Sequence, residues 1–228
     1  MNLLIVEDEQ SILRELYDFF KSEHYTVEAV ADFGSASEKL AVYNYDCMIV
    51  DLMLPDGNGL DLIRQVKKLN LPISIIVISA KGSTEEKIDG LDAGADDYLA
   101  KPFSMAELNS RLRAVIRRRC FGGQQEVVVG QLRIYPEARR VFAAREELPL
   151  TPKEFDLLLY FVTNKGRVLS KESIVEHLWG DSMGITADSF DFIYTHIRNM
   201  RSKMERFGVG NYIRTIYSVG YKFVGDEE

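Results

Sequence analysis

The chain is 228 residues long, 46% apolar and 28% charged, with a formal net charge of −7. That length suits two domains of about 100 to 120 residues each. No stretch approaches the roughly 18 consecutive apolar residues of a membrane helix, the acidic total argues against indiscriminate nucleic-acid binding, and two distant cysteines, Cys47 and Cys120, argue against a disulfide framework or a zinc site. The chain enters a strand at once, without a basic leader and cleavage site, so a cytoplasmic protein with reduced thiols is expected.

In chain order, the first half alternates strand and helix signals: strand 2–6, helix 11–23, strand 26–30, helix 34–42, strand 47–50 and helix 58–69. It continues with strand 74–78, helix 84–92, strand 97–100 and helix 104–119. Five such units predict a five-stranded, doubly wound parallel sheet with helices on both faces. The strands are rich in Ile, Val and Leu with little alternation, which fits burial on both sides. Gly122-Gly123-Gln124-Gln125 then reads as a linker.

From residue 126 the pattern changes to short β runs at Val127–Val129, Leu132–Tyr135 and Arg140–Ala143. Helices follow at about 152–164, 170–178 and 187–207, and two last runs, Tyr212–Tyr217 and Tyr221–Val224, read as a hairpin. Thr151-Pro152-Lys153-Glu154 has the N-cap, N1 proline and N3 glutamate of a capped helix start. The domains expected are therefore residues 1–119, a linker at 120–125, and an α+β unit at 126–228. No internal repeat or low-complexity tract interrupts them.

The functional signal lies where the strands end. Leu3-Leu4-Ile5-Val6 runs into Glu7-Asp8-Glu9, Cys47-Met48-Ile49-Val50 into Asp51, Ile75-Ile76-Val77-Ile78 into Ser79-Ala80-Lys81, and Tyr98-Leu99-Ala100 into Lys101-Pro102. Open parallel sheets bind ligands at this edge. Any one acid there is commonly a solvated turn residue or helix cap. Clustered carboxylates, however, repel one another unless a cation compensates them. Asp8 and Asp51, the Met53 backbone carbonyl, and Glu7 through water offer hard oxygens for Mg²⁺. Asp51 is then free to attack phosphorus, with Lys101 and the Ser79 hydroxyl placed to neutralise and hydrogen-bond phosphoryl oxygens.

These pieces, together with Val50-Asp51-Leu52-Met53-Leu54-Pro55-Asp56-Gly57 and Gly94-Ala95-Asp96-Asp97-Tyr98-Leu99-Ala100-Lys101-Pro102-Phe103, make residues 1–119 resemble a response-regulator receiver domain. The resemblance implies that Asp51 accepts a phosphoryl group from a histidine kinase and that Glu7, Asp8, Asp51 and Met53 bind Mg²⁺. The only catalysis expected is the receiver's own phosphorylation and dephosphorylation. The resemblance also makes Ser79 and Tyr98 a switch pair, although Tyr98 also reads as an ordinary edge aromatic. It implies a cis Lys101-Pro102 bond, and a homodimer through Lys87, Asp97, Glu107 and Arg111, which singly read as solvated charges. A haloacid-dehalogenase-like phosphatase is the enzyme alternative, but it needs a second acid where Met53 stands. A phosphorylation-independent scaffold is the other, and the filled acceptor positions weigh against it.

In the second half, Phe190, Ile193, Ile197, Met200 and Met204 form a stripe at 3, 4, 3, 4 spacing. Tyr194, Thr195, Arg198, Asn199, Arg201 and Ser202 fall mainly off that stripe, and Arg214 and Lys222 sit in the hairpin. Six Lys or Arg stand against one Glu within residues 192–225, a cationic footprint in an acidic chain. A polar helix face is usually solvated, but a helix for the major groove followed by a basic wing is a coherent docking geometry. Residues 126–226 resemble the winged-helix effector of OmpR/PhoB-type regulators through Leu150-Thr151-Pro152-Lys153-Glu154-Phe155, Leu178-Trp179-Gly180, His196-Ile197-Arg198-Asn199-Met200-Arg201-Ser202-Lys203 and Val219-Gly220-Tyr221-Lys222-Phe223. The whole then resembles a two-component transcription regulator whose partners are a sensor kinase and double-stranded DNA, with RNA polymerase left open as a further partner. Tyr217-Ser218 stands where that family usually carries Arg-Gly, so fewer wing charges are expected. Trp179 reads as helix-end packing, and His24, His177 and His196 are unclustered.

Overall fold

The apolar runs of the first half become five parallel strands, β1 (Asn2–Val6), β2 (Thr26–Val30), β3 (Cys47–Asp51), β6 (Ser74–Ser79) and β7 (Asp97–Ala100), in the order β2-β1-β3-β6-β7. Between β3 and β6 lies a miniature hairpin, β4 (Met53–Leu54) with β5 (Gly57–Asn58). The computed structural model describes residues 1–80, 83–180 and 187–225; Lys81, which closes one of the runs in the sequence, lies outside them. The chain divides into two units, Met1–Arg119 and Cys120–Glu228.

Every residue of β1, β3 and β6 is buried, which is why these strands show no polar alternation. Five helices cover them: α1 (Gln10–Ser22), α2 (Phe33–Val42), α3 (Gly59–Lys68), α4 (Thr84–Asp92) and α5 (Met105–Phe121). One core layer joins Leu4, Val6, Met48, Val50, Ile75 and Val77 to Ala36 and Leu40 of α2 and to Leu62, Ile63 and Val66 of α3. Side chains alternate along a strand, so Leu3, Ile5, Ile49, Ile76 and Ile78 serve the opposite face. Burying each such side chain contributes about 1.5 to 3 kcal/mol. The register pairs Val6 with Val50, Val50 with Val77 and Val77 with Tyr98. The next residues of each strand therefore emerge along one edge.

Helix starts follow from side-chain caps: Asp32 accepts from the Ser35 N–H at α2, Asn58 from the Leu60 N–H at α3, and Ser83 from the Glu86 N–H at α4. At its other end α5 departs from the expected boundary. Cys120 and Phe121, expected in the linker, are its last two residues, and the helix stops at Gly122, whose φ of 58° only glycine adopts without strain.

The second unit begins with an antiparallel sheet, β8 (Val127–Val129), β9 (Leu132–Tyr135), β10 (Arg140–Ala143) and β11 (Glu146–Glu147), in the order β11-β10-β9-β8. Next come α6 (Pro152–Thr163), β12 (Val168–Ser170), α7 (Lys171–Trp179), α8 (Ala187–Arg206), β13 (Ile213–Ile216) and β14 (Gly220–Phe223), with β12-β14-β13 as a second sheet. The capping box at Thr151 and Glu154 is present in full. Lys203 of α8 reaches it, donating to Glu154 at 2.6 Å and to the Pro149 carbonyl at 2.8 Å. Strands β11 and β12 are two and three residues long and had no readable periodicity. Among the described residues no helix is long and apolar enough to cross a membrane.

Candidate functional site

The edge residues converge as their strand positions require. Lys101, just past β7, places Nζ 2.6 Å from Asp51 Oδ2 and 2.8 and 2.7 Å from the two oxygens of Glu7. Glu7 is fully buried and Asp51 is 4% exposed, whereas Asp8 lies open to solvent. Oxygens of Glu7, Asp8 and Asp51 lie within 4.8 Å of one another. Burial is the largest influence on Glu7 and raises its pKa, the charge of Asp51 adds to this, and Lys101 only partly offsets it. Burial also works against the charged form of Lys101, but its bonds to Asp51 and Glu7 outweigh that and hold its pKa above the ordinary lysine value.

The oxygen set fits a small hard cation. Three carboxylates meet at one point, and Glu7 Oε2, although close to the ammonium, has no directed hydrogen bond. Asp51 Oδ1 accepts from the Met53 N–H at 3.0 Å, and the Met53 side chain is exposed. Ser79 is fully buried at the end of β6, where its carbonyl accepts the Lys101 N–H at 2.8 Å. The Lys101-Pro102 bond is cis. Tyr98 already lies inside at 8% exposure, with Gly90 of α4 so close that a Cβ there would stand 3.1 Å from its ring.

Two close approaches at this edge were not visible in the sequence. A Cβ on Gly59 would stand 2.2 Å from the Asp51 carbonyl oxygen, so only glycine lets α3 start here. Asp56 uses both oxygens on the first two N–H groups of α2, from Phe33 at 2.7 Å and Gly34 at 2.9 Å. A carboxylate immediately before Gly57 gave no hint of partners more than 20 residues away.

The four residues expected at a dimer surface divide. Arg111 is bound within its own unit, 3.1 Å from Asp97 and 2.9 Å from Glu107, while Lys87 is exposed on α4.

In α8, Ile193, Ile197, Met200 and Met204 are buried as the stripe required, with Phe190 half-buried. Tyr194, Thr195, Arg198, Asn199 and Ser202 are exposed, and Arg214 and Lys222 face each other across β13 and β14. Arg201, which the helix pattern grouped with the exposed face, is half-buried. Its guanidinium donates to the Ile213 carbonyl at 3.1 and 2.5 Å and to Thr215 Oγ1 at 3.0 Å, holding the wing against the helix. Tyr217, at the wing turn, is 89% exposed. Trp179 packs near Phe192 and His196 at the end of α7.

Residues 3–113 match the model of the response regulator receiver domain, and residues 145–223 match that of the C-terminal domain of transcriptional regulatory proteins. The response regulator ArlR of Staphylococcus haemolyticus is 38% identical over 96% of this chain and 98% of its own length. ArlR of Staphylococcus aureus strain Mu50 is 37% identical over 96% of this chain and 97% of its own length. Among solved structures, the receiver domain of the Francisella response regulator 1452 is 33% identical with a TM-score of 0.50, covering 51% of this chain and 97% of that one. A receiver fold with its acids at one strand edge, a winged helix after it in the sequence, and relatives matched over nearly their whole length make this chain a member of the two-component response regulators of the OmpR/PhoB type, a DNA-binding transcription regulator rather than a classical enzyme.

Proposed function

We propose that Asp51 accepts a phosphoryl group from the phosphohistidine of a sensor histidine kinase, and that this event governs how the second unit binds double-stranded DNA. The observation that carries the reading is the meeting of the Lys101 ammonium with Asp51 and Glu7 beside exposed Asp8. An Asp51 oxygen attacks phosphorus, the P–N bond breaks, and its electron pair returns to the kinase imidazole. Lys101 then neutralises a phosphoryl oxygen, and the Ser79 hydroxyl donates to another. Glu7, Asp8, Asp51 and the Met53 carbonyl would hold Mg²⁺, which when bound neutralises charge on the transferring group. Self-phosphorylation and dephosphorylation are the protein's only catalysis.

Ser79 moving toward the phosphoryl group draws on the space beside Tyr98, and α4, β7 and α5 change shape. Lys87, Asp97, Glu107 and Arg111 lie on that surface, and Arg111 can exchange its internal partners for those of a second copy. Such a receiver homodimer pairs two winged helices. Tyr194, Thr195, Arg198, Asn199 and Ser202 then face the major groove, Arg214 and Lys222 contact phosphates, and Arg201 sets the wing. RNA polymerase is the further partner this role calls for, and the site of action is the cytoplasm.

Incubation with acetyl phosphate and Mg²⁺ tests the central step. Intact-mass measurement is expected to show one added phosphoryl group on the native protein and none on Asp51→Asn; equal labelling of the two overturns the reading.

A further inference from the structure

Residues 52–58 leave the sheet edge after Asp51 and return to start α3 at Gly59. The base of this excursion is closed by the Gly59 N–H donating to the Leu52 carbonyl and by the Met53 N–H donating to Asp51, each at 3.0 Å. Its middle is the β4–β5 pairing of Met53 with Asn58 and Leu54 with Gly57. Two-residue strands of this kind are marginal by themselves. Its tip is held from outside, by the Asp56 carboxylate on the Phe33 and Gly34 N–H groups. Those donors open α2 and have no acceptor within the helix. Asp32 takes a third, that of Ser35, at 2.7 Å, so two carboxylates divide the free donors of one helix start.

The hairpin also packs on that start: a Cβ on Gly57 would lie 2.8 Å from the Phe33 ring. The same frame carries the other ligands. Helix α2 follows β2, β2 pairs along the whole of β1, and the Val30 carbonyl at the end of β2 accepts the Glu7 N–H at 3.1 Å. The hairpin tip and the segment bearing Glu7 and Asp8 are thus both tied to the consecutive elements β2 and α2.

We propose that Asp56 is a positioning residue for the divalent-cation site: by tethering the hairpin tip to α2, it holds the Met53 carbonyl where it completes the oxygen cluster of Glu7, Asp8 and Asp51. This rests on the cation reading above. Groups that orient metal ligands without touching the metal act through geometry, and their loss typically weakens binding about tenfold or more.

The test uses the full chain, with free Mn²⁺ followed by electron paramagnetic resonance and exchange of residues 51–59 followed by hydrogen–deuterium mass spectrometry in metal-free buffer. Asp56→Ala is expected to weaken Mn²⁺ binding about tenfold and to speed exchange of the hairpin. Asp56→Asn, which keeps an acceptor oxygen, is expected to recover part of both. Asp32→Ala uncaps the same helix without touching the hairpin and is expected to leave Mn²⁺ affinity unchanged. Native protein that binds Mn²⁺ no better than Asp56→Ala, or an Asp32→Ala loss equal to that of Asp56→Ala, overturns the proposal alone. Native protein that fails to bind Mn²⁺ overturns the cation reading and this proposal with it.

Discussion

Without the Lys101 ammonium, Glu7 and Asp51 would face each other across a buried gap with nothing to balance them. Removing one partner of a buried ionic group costs about 3 to 5 kcal/mol, chiefly because the other charge is left stranded. Lys101→Ala is therefore expected to lose about that much stability in urea denaturation without divalent cations, and to recover most of it when Mg²⁺ is added. Asp56 behaves differently because it is exposed. Its bonds to the Gly34 and Phe33 N–H groups hold its pKa below the ordinary aspartate value. A carboxylate with a depressed folded pKa contributes stability above its unfolded pKa of about 3.9, and that contribution is lost as pH falls through the lower folded value. The hairpin tether is thus expected to be intact at neutral pH and to release only in acid, which chemical-shift titration of the Phe33 and Gly34 amides would follow. Glu7, Asp8, Asp51 and Lys101 were legible in the sequence because each ends an apolar run. Asp56 was not, since its partners are backbone groups that any residue carries.

At the level of elements, the parallel strands and α8 were readable for opposite reasons. Burial on both faces removes alternation from β1, β3 and β6, whereas burial of one stripe imposes a period on α8. Strands β4, β5 and β11 have two residues each, too few for any period. The pattern of α8 also misled at Arg201, because a polar residue off the stripe reads as solvated even when a neighbouring strand claims it. Ile197→Ala removes a side chain that is 2% exposed and is expected to cost about 2 to 5 kcal/mol in denaturant unfolding. Arg198→Ala should leave unfolding alone and, on a phosphate contact, lower the slope of log affinity against log salt by about one. Arg201→Ala is expected to separate from both, with faster amide exchange in β13 and weaker binding to every DNA sequence tried.

Two units on one chain give the whole molecule its logic: one carries the cluster of carboxylates, the other the cationic helix and wing. A cut after Phe121 keeps α5 whole, so residues 1–121 and 122–228 are expected to unfold cooperatively as separate pieces, which calorimetry would show. Anisotropy titration of labelled duplex DNA should find tighter binding with a phosphodonor than without, and no such gain in Asp51→Asn. The joint is marked by Gly122 and Gly123, with φ of 58° and 83° and open space wherever a Cβ would point. An L-residue there would meet backbone strain of about 1 to 2 kcal/mol rather than crowding. A mirror-image residue favours positive φ and would be free of that backbone strain. Semisynthesis with D-alanine at both positions would cut the backbone freedom these two residues have in the unfolded chain, and is expected to raise stability in denaturant unfolding by about 0.4 to 1 kcal/mol at each.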